Sequence, residues 1–241
     1  DPRPAWPPAD AMDAGGQGMS LSAGVAGETA AWLTDQAHWI GSEGVPHRLV
    51  EHLAYSALTV ALAALVAVPI GLWIGHTGRW QRSAVATSGA LRAMPTLGLL
   101  TWFVLLIGVG LAAPILALVI LAIPPLLAGT YAGLESVDRP TVDAARAMGF
   151  TEWQVLFKVE IPLALPLLVG GFRSAALQVI ATATVAAYVG LGGLGRYLID
   201  GQAYRDYPQM VSGSVLVIAL ALIADGVFVG AQRLSTLKEK S

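Results

Sequence analysis

The chain has 241 residues, of which 55% are hydrophobic and only 12% charged, with a net charge of −2 and no cysteine. Soluble domains carry about 25% charged residues, so this composition points away from an ordinary soluble core. Disulfides and thiolate metal sites are excluded, and there is no basic stripe of the kind nucleic acid requires.

Residues 1 to 20 are rich in Pro, Gly and acid and hold no apolar run of the sort a signal peptide carries. The stretch ETAAWLTDQAHWI at 28–40 sets Leu33, Ala37 and Ile40 on one helical face with Trp32 and Trp39 nearby. That pattern predicts an interfacial helix inside an external N-terminal segment covering residues 1–48. A partly ordered tail is the alternative.

Residues 53 to 75 then run without a charge, and so do the 42 positions from 93 to 134. A helix needs about 20 apolar residues to cross the hydrocarbon core. The first run is therefore one span and the second two, divided at GVGLAAP, residues 108–114. Two further runs follow at about 162–189 and 209–231, interrupted only by Arg173 and Asp225. The fold class is all-α: a polytopic membrane protein with spans near 53–75, 84–107, 114–134, 162–189 and 209–231. The transmembrane domain is 49–233, and 234–241 form a tail.

Orientation follows from Lys and Arg near span ends. One side holds Arg79, Arg82, Arg139, Arg146, Lys158, Arg233, Lys238 and Lys240; the other holds Arg3, Arg48, Arg196 and Arg205. Eight against four puts the N-terminus outside, and the C-terminus and the 135–160 loop in the cytoplasm.

That loop is a polar island. It carries Glu135, Asp138, Arg139, Asp143, Arg146, Glu152, Lys158 and Glu160. Pro140 suits a first helical turn and Gly149 a left-handed C-terminal cap. Thr151 and Gln154 form a capping-box signature, and Pro162 marks the transition into the next span. Two short helices hinged at glycine are expected over 138–161. A mere connector needs about 2–8 residues, so a structured loop of this length reads as a docking element.

DAARAMGFTEWQVLFKVEIP at 143–162 resembles the cytoplasmic signature loop of ABC importer permeases. That pattern runs Glu-Ala-Ala, three residues, Gly, nine residues, then Ile-x-Leu-Pro. Asp143, Ala144, Ala145, Gly149, Val159, Ile161 and Pro162 stand at those positions, with Asp, Val and Ile as substitutions that keep charge or shape. A second stretch, ATATVAAYVGLGGLGRYLIDG at 181–201, is similar to permeases for glycine betaine, choline, carnitine and related osmoprotectants. The resemblance covers residues 45–233. It implies a coupling loop that docks on a separate ATP-binding subunit, which would hold ATP and Mg. It also implies a second permease subunit, identical or paralogous, and an external substrate-binding protein. The setting is a bacterial inner membrane, with lipid around the spans. The chain itself would be no enzyme and carry no cofactor; no phosphate-binding G-x-x-x-x-G-K-[ST] is present. A secondary transporter or channel working without an ATPase is the alternative, although no internal repeat of the kind that class shows is evident.

Two motif matches are rejected. GLGGLG at 190–195 lacks the βαβ setting of a dinucleotide site. His47, Glu51 and His52 have the order H-x-x-x-E-H, which is not a metalloprotease spacing. The intramembrane charges are Arg92, Arg173 and Asp225. Counted at 1.5 Å per residue from the cytoplasmic ends, they lie about 12–16 Å in, at matching depth. Such groups face a bundle interior or a water-filled cavity. They read either as an internal ion pair, with Arg173 and Asp225 the matched couple, or as an Arg lining the pathway.

Overall fold

A computed structural model describes the backbone of residues 14–239 and the side chains of residues 24–233. Among these residues every regular element is helical. In chain order they are α1 (Ala14–Thr34), a 3-10 turn (Gln36–Trp39), α2 (Val45–Thr77), α3 (Gln81–Arg92), α4 (Thr96–Ile107) and α5 (Ala112–Glu135). There follow α6 (Arg139–Ala147), α7 (Glu152–Val155), a π turn (Leu156–Glu160), α8 (Ile161–Ala186), a 3-10 turn (Ala187–Val189), α9 (Gly195–Tyr204) and α10 (Tyr207–Glu239). Four runs are long and apolar enough to cross a membrane: Val45–Thr77, Ala112–Glu135, Glu152–Val189 and Tyr207–Arg233. Residues 1–13 of the expected N-terminal segment, and the last two of the expected tail, lie outside the described residues.

α5 is the centre. Its apolar window is 67% buried, against 6% for α10, and it packs most extensively on α2 and α8. Small residues make this possible, since in a membrane helices associate through close backbone approach rather than hydrophobic exclusion. Ala63 and Ala67 of α2, Ala122 of α5 and Ala175 of α8 are all fully buried in one cluster. Gly129 of α5 and Gly171 of α8 meet with no room for a side chain between them.

The second expected span is not a straight helix. α3 and α4 do not form one rod across 84–107; they meet at 86°. The break falls at Ala93–Pro95. Proline has no N–H to continue the ladder, and its ring pushes Met94 away from helical geometry. Pro95 takes extended angles as the N-cap of α4. Hydropathy reports how apolar a stretch is but not its direction, so the bend was invisible to it.

The 28–40 helix is also redrawn. α1 ends at Thr34, and the Asp35 side chain accepts the Ala37 N–H at 2.9 Å, starting a separate 3-10 turn. Trp32 then turns into the protein, packing with Val45, Ile180 and Tyr197, and is 8% exposed. Its ring stacks on His38 with centroids 4.1 Å apart. Trp39 and Ile40 stay outside.

The third correction concerns Pro162. The helix does not restart there, because α7, the π turn and α8 run on as one 38-residue helix, Glu152–Val189. The Ile161 N–H bonds to the Leu156 carbonyl, one residue further back than in an α-helix. This wider turn makes room for a proline ring that an α-helical interior would reject.

Candidate functional site: the polar island

α6 is short and amphipathic. Val142 and Ala145 are buried against Leu134, Val137, Val155 and Leu156, while Asp143, Ala144, Ala147 and Met148 face outward. Its end is closed by a Schellman motif. The Phe150 N–H reaches the Ala145 carbonyl at 3.2 Å and the Gly149 N–H reaches Arg146 at 2.9 Å. This geometry needs Gly149 at φ +87°, where a side chain is strained.

α7 opens immediately afterwards. Thr151 Oγ1 accepts the Gln154 N–H, and the Gln154 side chain accepts the Thr151 N–H at 2.9 Å. Arg146 then ties the two helices together. Its Nε and Nη2 donate to the two carboxylate oxygens of Glu152 at 3.0 and 2.9 Å, with Asp143 at 3.5 Å on the same guanidinium. Glu152 accordingly raises the Arg146 pKa further. The island is thus a braced corner rather than a loose hinge.

One residue of this corner, His76, escapes any reading of local sequence. His76, in the last turn of α2, lies between two carboxylates. Its Nε2 is 3.2 Å from Glu152, and its Nδ1 is hydrogen-bonded to Glu160 in the π turn. Glu160 is only 2% exposed. His76 and Glu152 also line an apolar pocket of about 480 Å³, together with Leu72, Trp73, Trp153 and Phe157. Glu160 is visible in the sequence as one charge among eight, but its partner lies 84 positions away.

The other expected positions divide. Val159 and Ile161 pack half-buried on the same core as Ala145, and Pro162 is exposed at the start of α8. Arg173 donates through Nε and Nη2 to both carboxylate oxygens of Asp225, at 2.6 and 3.0 Å, joining α8 to α10. The pair is about one-third exposed. Gln232 donates to the Pro166 carbonyl at 3.0 Å between the same helices. Arg92 does not join them. It sits exposed at the end of α3, beside the break, with no ion-pair partner among the described residues. The depth counted along a straight second span therefore does not apply to it.

At the opposite end of α2, Glu51 accepts the Gly193 N–H and an Arg48 N–H, both at 2.9 Å, and His52 is buried, donating to the Ile180 carbonyl at 3.0 Å. Both thus fasten α2 to the segment running from α8 to the glycine turn before α9. The Tyr197 hydroxyl donates to the Glu43 carbonyl at 2.6 Å, and burial raises its pKa to about 12, so it stays a donor.

Residues 67–233 match the family described as binding-protein-dependent transport system inner membrane component. The chain belongs to this family. The match begins in the second half of α2 and takes in the whole island, so His76, Arg146, Glu152 and Glu160 all lie within it. This member is 33% identical over 188 residues to the glycine betaine/carnitine/choline transport system permease protein OpuCB of Bacillus subtilis, covering 78% of this chain and 87% of that one. It is 34% identical to the carnitine transport permease protein OpuCB of Listeria monocytogenes, over 73% of this chain and 80% of the relative. Against the osmoprotectant import permease protein OsmW of Salmonella typhimurium it is 31% identical, over 82% and 92%. Its fold resembles a chain of the inward-facing MetNI methionine ABC transporter, with a TM-score of 0.69 at 24% identity, covering 79% of this chain and 95% of that one. The family member is a multi-pass membrane component of a transport system.

Proposed function

We propose that the chain is the membrane-spanning permease subunit of an ATP-driven importer for osmoprotectants such as glycine betaine, choline or carnitine. The observation that carries this reading is the braced corner. α6 presents Asp143, Ala144, Ala147 and Met148 outward from an anchored helix, and that helix is clamped by Arg146 to the first turn of a 38-residue span. A partner that pushes on α6 therefore moves α8 as a rigid body. Asp143, Ala144, Ala145, Gly149, Val159, Ile161 and Pro162 form the coupling loop on this reading.

The remaining parts follow. The partner ATPase holds ATP and Mg on the cytoplasmic side, and the excess of Lys and Arg supports putting the island and the C-terminus on that side. An external binding protein delivers substrate to the opposite face, beside the N-terminal segment. The apolar faces of α4 and α10, with Leu105 at 78% and Val227 at 67% exposure, are left for lipid and for a second permease subunit. The setting is the bacterial inner membrane. The relatives named for glycine betaine, carnitine and choline supply the substrate class.

Two experiments test this. In proteoliposomes holding the complete complex, glycine betaine uptake should require ATP hydrolysis and survive collapse of the proton gradient at constant ATP. Loss of uptake to an ionophore under those conditions would favour a secondary transporter. At the island, a Cβ added at Gly149 meets nothing within 4 Å, so the effect of Gly149→Val comes chiefly from φ +87°, costing about 1 kcal/mol or more. It should insert normally yet co-purify with less ATPase. Asp143→Lys should do likewise by reversing a charge on an exposed helix face. Normal co-purification of both variants would remove α6 from the docking surface.

A further inference from the structure

We infer that His76 is a positioning residue for transport, the joint through which movement of the island reaches α2 and the bent α3–α4 pair. This deepens the importer reading and rests on it.

The island is covalently continuous with α8, so α8 needs no joint. α2 is different. It belongs to another part of the chain, and among the described residues its polar link to the island is the His76 imidazole. The Nε2 arm meets Glu152, the same carboxylate that holds Arg146 of α6. The Nδ1 arm meets Glu160 inside the π turn. A chain of contacts therefore runs Arg146, Glu152, His76, and from there into the backbone of α2 one residue before its end.

Beyond His76 the chain leaves the helix at once. Gly78 caps α2 in the left-handed region and Trp80 leads α3 from the same region, so the α2–α3 corner is tight. Displacement of His76 is carried directly into α3 and so to the 86° bend. π turns recur at functional sites, and one sits here with a buried carboxylate aimed at the ring.

The two arms differ in what they do. Glu160 is 2% exposed, and a carboxylate so buried needs its partner. That arm holds the fold. Glu152 has a side chain 58% exposed, and a polar contact there adds little stability. That arm can be cut without unfolding the protein, which makes it the informative one.

The two nitrogens can be separated chemically. In His76→Asn the amide nitrogen lies near the position of Nδ1, so it donates to Glu160 and loses Glu152. In His76→Gln the longer side chain reaches toward Glu152 instead, and Glu160→Gln removes the carboxylate that would otherwise be left buried and unpaired. The complex of permease, ATPase and binding protein is reconstituted in vesicles, and glycine betaine uptake is measured per ATP hydrolysed, beside the melting temperature. His76→Asn should keep the wild-type melting temperature and ATPase association while uptake per ATP falls about fivefold. His76→Gln with Glu160→Gln should restore that ratio. A wild-type ratio in His76→Asn overturns the proposal, and so does a melting temperature that falls together with the ratio, since that marks a purely structural role. Wild-type vesicles that take up glycine betaine without hydrolysing ATP would overturn the importer reading itself.

Discussion

Gly129→Val should leave a chain that inserts but no longer holds α5 against α8. A Cβ built on Gly129 falls 2.5 Å from the Gly171 Cα and 2.9 Å from its backbone nitrogen. The reciprocal Cβ on Gly171 meets the Gly129 Cα at 2.9 Å and the Pro125 carbonyl at 3.1 Å. These are backbone atoms, so no rotamer change relieves the clash and the helices must separate. Overpacking costs about 1–3 kcal/mol where side chains can adjust, and here they cannot, so the loss should lie at or above the top of that range. Gly226→Ala on α10 is the control, because its added methyl meets nothing within 4 Å. Melting in detergent, followed by size-exclusion chromatography, reads both. Equal melting temperatures for Gly129→Val and the wild type would mean that this crossing is not as tight as the geometry shows.

Asp225→Asn should be the second most damaging change. The carboxylate is held by both Nε and Nη2 of Arg173. Neutralising it leaves a guanidinium between α8 and α10 without its counter-charge, at a cost of about 3 kcal/mol for a charge left unpaired within a membrane. The pair remains about one-third exposed, so any water reaching it screens this cost. Adding Arg173→Gln to Asp225→Asn should therefore cost little more, because the orphaned charge is gone. A double-mutant cycle in melting temperature checks this, and strict additivity would mean the two do not interact.

What the sequence made legible is what local chemistry fixes. The α6 cap, the capping box at Thr151 and Gln154, and the turn at 108–111 each depend on neighbours within a few positions. The Arg173–Asp225 geometry lay within reach because two isolated charges in apolar helices have few other partners. The bend at Pro95 was available in principle, since a proline stood in the middle of a proposed span. Hydropathy outweighed it because Met94 and Leu97 are as apolar as their surroundings. Helical continuity through Pro162 was not available, because nothing local announces a π turn. His76 was out of reach for a different reason. Its partners are set by how α2 packs beside the island, and that register is decided by Gly71 and Gly75 fitting against Thr130 and Leu134 of α5.

The bent pair also bears on how the protein meets its bilayer. The Glu152–Val189 helix, at 1.5 Å per residue, is about 57 Å long, far more than the hydrocarbon thickness of about 30 Å. Stretching or compressing the membrane slides lipid along such a rod without changing which residues are solvated at its middle. α3 and α4 have 12 residues each and reach only about 18 Å apiece, so neither crosses alone. Their combined height depends on the angle between them. A thinner bilayer favours a sharper bend and a thicker one a straighter pair, at a cost of fractions of a kcal/mol per Å of mismatch. A bent pair of short helices thus has an adjustable height, set by the angle at Ala93–Pro95, where a single continuous helix of 38 residues has a fixed one.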